Sequence, residues 1–254
     1  MSWNLGTGLA GRRVLVTGGA GGIGRETALA FGAAGARVAV LDLSEEKVKA
    51  VVAEMEGGPH LPLAADLRPV AGHARLIETV AGALGGLDVL VCTAAVLVRR
   101  DSVDEVTEAD WDLQHDVNLK STFFLNQAVA RLFRAQGRGR IINFTSQGWQ
   151  SGGYNGSVAY AASKGGIVSM TRGLARSFAK NGITVNAVSP GAADTAMMRS
   201  GLTDAQLASF VSTIPMGRMA APSELAGTVL FLASDHAGYI TGATINVSGG
   251  WLMY

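Results

Sequence analysis

Short runs of aliphatic and β-branched residues recur along the chain, separated by longer stretches whose apolar positions repeat every three or four residues. The first run, RVLVTG (13–18), predicts a strand, and GIGRETALAFGAAG after it a helix ending near Gly35. RVAVLD (37–42) is a second strand. SEEKVKAVVAEM follows as a helix capped by Ser44, with Glu45 and Glu46 in its first turn. LPLAAD (61–66) predicts a third strand, with a helix over 69–84, and LDVLVCTA (87–94) a fourth with almost no polar alternation. A helical pattern fills 103–136, RIINFTS (140–146) is a strand, and 157–180 is a helix. ITVNAVSP (183–190) and ATINV (243–247) complete the strands, with helices over 203–213 and 222–234 between them.

Strands that are apolar on both faces belong in a parallel sheet covered by helices on each side. Their alternation with helices implies right-handed crossovers. No linker, charge run or repeat interrupts the pattern, so residues 1–254 read as one domain. The expectation is a doubly wound α/β fold, whose ligands bind beyond the carboxyl ends of the strands.

Composition narrows the picture. At 48% hydrophobic and 16% charged, the chain can bury a large core. A net charge of +1 gives no electrostatic case for nucleic acid or an anionic membrane. Cys92 is the single cysteine, so no internal disulfide can form. The start, MSWNLGTGLAGRR, has no apolar run of signal-peptide length. Nor does any segment reach the ~18 uninterrupted apolar residues of a membrane span. A cytoplasmic location is expected.

Chemistry-bearing residues gather at strand ends. The first strand runs into TGGAGGIG (17–24), whose glycines permit a tight turn into a helix and let backbone N–H groups approach a pyrophosphate. Its spacing, Gly18-x-x-x-Gly22-Ile23-Gly24, differs from the commoner Gly-x-Gly-x-x-Gly. Asp42 ends the second strand, where a carboxylate can accept from both ribose hydroxyls and would repel a 2′-phosphate. Neither Gly21 nor Leu43 offers that phosphate a cation, so NAD is favoured over NADP. Asp66 ends the third strand and could accept from the adenine amino group, or serve only as a turn residue.

In YAASK, Tyr160 and Lys164 are four residues apart and share a helix face. A free tyrosine titrates near 10 and is a poor base at neutrality. An ammonium ~4 Å away is worth about 4 kcal/mol at an effective dielectric near 20. The spacing therefore predicts a phenol drawn well below its ordinary range, suited to general acid–base catalysis.

TGxxxGIG at 17–24, Asn118 in DVNLKSTFFL, Ser146 in RIINFTS and Tyr160/Lys164 in YAASK together resemble the short-chain dehydrogenase/reductases. ITVNAVSPGAADT (183–195) and GYITGATINVSGG extend the likeness over essentially the whole chain. The resemblance implies a Rossmann-type sheet of about seven strands in the order 3-2-1-4-5-6-7. It also implies hydride transfer between NAD and an alcohol or ketone. By the same resemblance Tyr160 exchanges the substrate proton, and Lys164 supports it and bonds the nicotinamide ribose. Ser146 holds the substrate oxygen, and Asn118 holds a water linking Lys164 to solvent. Gly18, Gly22, Ile23, Gly24, Asp42, Asp66, Leu67, Ala94, Pro190, Gly191 and Thr195 are placed at the cofactor, and a homotetramer built on paired long helices is implied.

Two departures stand out. Cys92-Thr-Ala-Ala95 replaces the family's Asn-Asn-Ala-Gly, so the bonds that brace the central sheet must be rearranged. Ser248 stands where Asp is usual, at a position expected to be remote from the chemistry. Rival readings are an NADPH-dependent 3-oxoacyl reductase and a dinucleotide-sensing protein without turnover. For the substrate, Gln147, Gln150 and Asn155 point to hydroxyls, and Trp149, Met197 and Met198 to apolar surface. The C-terminal GGWLMY is expected to pack on a neighbouring subunit, or else to fold back on its own sheet. His60, His73, His115 and His236 read as surface or helix-end residues, and no metal site is expected.

Overall fold

Val14, Leu15 and Val16 are fully buried, and their strand, β1 (Arg13–Thr17), lies inside a parallel sheet in the computed structural model, which describes residues 8–254. β1 pairs with β2 (Arg37–Asp42) on one side and β4 (Val89–Cys92) on the other. β3 (Leu61–Ala64) extends the β2 edge; β5 (Gly139–Phe144), β6 (Ile183–Pro190) and β7 (Thr244–Val247) extend the β4 side. The sheet has seven strands in the order β3-β2-β1-β4-β5-β6-β7, as the resemblance implies.

Alternation along β1 builds two cores. Val14 and Val16 face α1 (Gly22–Ala33) and α10 (Pro222–Ala233), meeting Phe31, Leu225 and Val229. Leu15 faces α3 (His73–Leu84) and α5 (Ser121–Gln136), meeting Ile77, Leu125 and Phe133. α2 (Glu45–Glu54) follows β2, and its Ser44 cap accepts from the Lys47 N–H as expected. The short α6 (Gly148–Ser151), α8 (Ala196–Arg199) and α9 (Asp204–Ser212) ride above the carboxyl ends of the strands, and α7 (Val158–Phe178) covers β5 and β6. Among the described residues no helix is long and apolar enough to cross a membrane.

The helix expected over 103–136 is divided. Thr107 caps α4 (Glu108–Gln114) through a capping box with Asp110. A π-helical turn then spans His115–Lys120 before α5 begins. Such a turn shifts bonding from i−4 to i−5. Ser121 and Thr122 hydroxyls donate to the Val117 and Asn118 carbonyls at 2.6 and 2.7 Å. β3 and β4 stop two residues short of their expected ends. His73 opens α3, a helix-end residue as expected, and is buried with its Nε2 bonded to the Leu67 carbonyl at 2.8 Å.

The C-terminal tail also has partners within the chain. It folds back on its own chain: Trp251 packs edge-on against Phe210 of α9 at 4.8 Å, and Tyr254 against Trp149 at 5.1 Å. Asn246 Nδ2 donates to the Leu252 carbonyl and Gln150 Nε2 to that of Met253. Gly166 likewise serves the chain's own packing, since a Cβ there would lie 2.7 Å from Leu119.

Candidate active site

The glycine loop is shaped by close approaches. A Cβ on Gly24 would lie 2.1 Å from the Gly18 carbonyl oxygen, and one on Gly18, at φ 67°, would lie 2.7 Å from Ala94. Glycine is therefore required where α1 crosses the end of β4. α1 starts with no side-chain cap and no acidic residue in its first turn, so its amino-terminal N–H groups, Ile23 included, remain available to an anion. Gly22 faces Thr195 across the cleft, where a Cβ would be 3.1 Å from Thr195 Cγ2. Asp42 sits beside the loop. Its Oδ2 accepts from the Ala20 N–H at 3.0 Å and its Oδ1 from the Leu43 N–H at 2.7 Å. Each oxygen keeps lone-pair capacity for a hydroxyl. Leu43 is 70% exposed and brings no charge. An uncapped helix end facing an acidic strand end fits a dinucleotide.

Other expected cofactor residues are already engaged. Asp66 forms a fork with Arg68, at 2.9 Å to Nε and 2.6 Å to Nη2, and accepts the Arg68 N–H. Those bonds, the side-chain ones first, hold its carboxyl below the usual range. This turn geometry competes with the adenine contact expected of it. Thr195 caps α8 by accepting from the Met198 N–H at 3.2 Å. Pro190 accepts the Gln147 N–H, and Gly191 packs so closely on Ser248 that a Cβ would lie 2.8 Å from its Cα. Ser248 is therefore adjacent to a candidate cofactor residue rather than remote from the site.

At the end of β5, Ser146 and Tyr160 converge on Gly148. A Cβ there would be 3.4 Å from Ser146 Oγ and 3.8 Å from Tyr160 Cε1. Lys164 is buried, and its Nζ donates to the Phe144 carbonyl at 2.9 Å, 5.6 Å from the Tyr160 ring centroid. The expected lowering of Tyr160 by Lys164 does not hold in this arrangement. Burial pushes the phenol above its ordinary value, while the Ser146 hydroxyl and the Arg99 charge pull the other way. Burial also brings Lys164 down to about 8.

Asn118 is fully buried and wholly committed. Its Oδ1 accepts from Val96 N–H at 2.8 Å, and its Nδ2 donates to the Val96 carbonyl at 2.9 Å and to Ser163 Oγ at 3.1 Å. It is one rung of a ladder. Gln114 Oε1 accepts from the Val98 N–H at 3.0 Å, and Asp110 receives the Arg100 fork at 2.9 and 2.8 Å. Four helical residues rise about 6 Å, and two residues of extended chain advance about 6.6 Å. Positions 110, 114 and 118 thus match 100, 98 and 96, which run the opposite way. Arg99 faces away from the helix, and sequence reasoning missed it. Its signal was a charged Arg99-Arg100 pair in the segment that follows an apolar parallel strand.

The replaced strand end is braced anew. Thr93 Oγ1 donates to the Thr17 carbonyl, and Thr17 Oγ1 accepts the Ala94 N–H at 3.4 Å. Cys92 Sγ accepts from Asn126 Nδ2 at 3.5 Å, and Asn126 pairs with Asn143. Burial drives the Cys92 thiol up to about 12, leaving it an inert packing group.

A family model described as enoyl-(acyl carrier protein) reductase matches residues 18–252. The chain is 38% identical, over 97% of its length and 99% of the relative's, to the (2S)-[(R)-hydroxy(phenyl)methyl]succinyl-CoA dehydrogenase subunit BbsD of Thauera aromatica. The chain belongs to the short-chain dehydrogenase/reductase family. It is also 39% identical, with 96% of each chain covered, to the 2-dehydro-3-deoxy-D-gluconate 5-dehydrogenase of Escherichia coli (strain K12). A structure from Beutenbergia cavernae, named an NAD(P)-dependent gluconate 5-dehydrogenase and solved with NADP bound, is similar at a TM-score of 0.88 and 35% identity. The match covers 98% of this chain and 99% of that one. Short-chain dehydrogenase/reductases are oxidoreductases that use a nicotinamide dinucleotide.

Proposed function

We propose that this chain, as a single domain, transfers a hydride between NAD(H) and a secondary alcohol or ketone, with Tyr160 as general acid–base. The observation that carries the reading is the convergence of Ser146 Oγ and the Tyr160 ring on Gly148, with the buried Lys164 ammonium beneath. The glycine loop would hold the pyrophosphate of a nicotinamide dinucleotide, which would supply or accept the hydride. Tyr160 takes the alcohol proton in oxidation and returns it in reduction, and Ser146 holds the substrate oxygen. A cation is needed nearby, because burial favours the neutral phenol. The Arg99 charge acts on the phenol in this arrangement, and a bound oxidised nicotinamide would add to it. Asn118 contributes by fixing the 96–100 segment. NAD is favoured over NADP by the Asp42 carboxylate and the uncharged Leu43. The family description leaves a second reading, an NADPH-dependent acyl-chain reductase. Rates with NAD(H) and NADP(H) over a panel of secondary alcohols, polyols, steroids and 3-oxoacyl thioesters decide between them. Dinucleotide binding with no turnover anywhere in the panel would favour the sensing protein.

A cytoplasmic homotetramer is part of the same reading. A groove of about 490 Å³ runs along the outer face of α7 beside Gly165, Ser169 and Gly173, where a second helix could approach closely. Light scattering near four times 26.2 kDa supports the tetramer, and a mass at the monomer value refutes it.

A further inference from the structure

Arg99 carries a guanidinium whose donors are only partly used among the described residues. Its backbone belongs to the segment whose alternate residues, Val96, Val98 and Arg100, are fastened to the Asp110–Gln114–Asn118 face. Arg99 therefore points the other way, towards α8. Its Nη1 donates to the Met197 carbonyl at 3.1 Å and to that of Ser200, and its Nη2 to the Met198 carbonyl at 3.3 Å. A guanidinium has five N–H donors. Those three bonds leave the Nε–H and one Nη2–H without an acceptor among the described residues.

Two other arginines in this chain show what that fork takes. Arg13 places Nε and Nη2 on Asp88, both at 2.7 Å, and Arg100 places the same atoms on Asp110 at 2.9 and 2.8 Å. Arg99 forms no ion pair with a carboxylate among the described residues, although it is half-buried. A partly desolvated guanidinium with an open fork is suited to a planar anion. Its charge also pulls against the effect of burial on the Tyr160 phenol.

We propose that Arg99 is a specificity-determining residue that receives the carboxylate of a hydroxy-acid or oxo-acid substrate through its open Nε/Nη2 fork. The ladder holds its backbone, and the three carbonyl bonds aim the guanidinium. The proposal rests on Tyr160 as the site of proton exchange. It adds that the reacting carbon belongs to a molecule with a carboxylate within reach of Arg99.

The test uses matched acid and neutral pairs with the NAD-loaded full chain: D-gluconate with D-glucitol, 3-hydroxybutyrate with its methyl ester, and mandelate with methyl mandelate. In whichever pair is turned over, the acid is expected to exceed its neutral counterpart in kcat/KM by about thirtyfold or more, the scale of one charge-assisted fork. Arg99→Met should collapse that ratio towards one, whatever loss both substrates share, and Arg99→Lys should retain part of it. Equal losses on acid and neutral substrates would leave Arg99 only a tether for α8 and overturn the proposal, as would preference for the neutral partner. A binding arm separates this outcome from failure of the catalytic reading. Calorimetric titration of the three acids into NADH-loaded Tyr160→Phe should show binding that Arg99→Met in the same background loses. If no acid binds at millimolar concentration, or if the Arg99→Met background binds equally well, the proposal fails even where no pair is turned over.

Discussion

Lys164 holds its ammonium 5.6 Å from the ring centroid of Tyr160, where it donates to the Phe144 carbonyl. The two residues share a helix face, as i and i+4 positions must. The lysine stem, however, carries its charge across to β5, where a strand-end carbonyl receives it. The charge that acts on the phenol in this arrangement is that of Arg99.

Tyr160→Phe is expected to lower kcat by about a thousandfold, the range of a lost general acid–base, and to leave NAD affinity within about threefold. Steady-state kinetics and a fluorescence titration with NAD give both quantities. Activity within tenfold of the parent would remove Tyr160 from the proposed role.

Cofactor preference should follow charge at the end of β2. Replacing Asp42 with Ser and Leu43 with Arg removes a repulsion and adds a phosphate partner. The kcat/KM ratio for NADP over NAD should rise at least about tenfold. An unaltered protein that already prefers NADP would contradict the role given to Asp42.

Gly24→Ala tests the crossing of α1 and β4. The new Cβ would press on the Gly18 carbonyl and on Thr93 Oγ1, and both are fixed by the sheet. Overpacking of this kind costs about 1–3 kcal/mol. Urea denaturation should show that loss, and NAD titration a weaker affinity. An unchanged midpoint would mean that the loop shifts freely.

Asp88 predicts an acid limb of stability. Burial pushes its carboxyl up, but the Arg13 side-chain bonds, backbone N–H and charge outweigh that and hold it below its ordinary value. A depressed folded value means that the stabilisation is complete above the unfolded carboxyl range. It is lost as pH falls through the folded value. Stability should therefore decline below about pH 4. Asp88→Asn should cost about 3 kcal/mol at pH 7, because it leaves Arg13 half-buried and unpaired, and should flatten that limb. Denaturation midpoints from pH 2.5 to 7 check both.

The sheet was legible because parallel strands buried on both faces write themselves as apolar runs, and the glycine loop because only glycine survives the crossing at Gly18 and Gly24. Other features leave no periodic trace. The amides of Asn118 and Gln114 bind backbone groups of Val96 and Val98, and backbone partners have no signature in residue identity. The same limit hid Lys164's partner, a carbonyl at Phe144, and so misdirected the expected effect on Tyr160. The contacts of the tail were hidden for a related reason. An apolar ending needs a cover, but the sequence does not say that Phe210 and Trp149 of the same chain provide it.

The matched repeat between helix positions 110, 114, 118 and segment positions 100, 98, 96 has an evolutionary consequence. Exchange of one rung leaves the other two to hold the alignment, at the cost of the backbone groups it leaves unpaired. Insertion or loss of one residue within the segment instead moves every later side chain to the opposite face. The segment should therefore vary in letters among descendants of this chain and stay constant in length. Diversity in the substrates such descendants accept would then arise by exchanging the outward-facing Leu97 and Arg99, with the frame that presents them inherited whole.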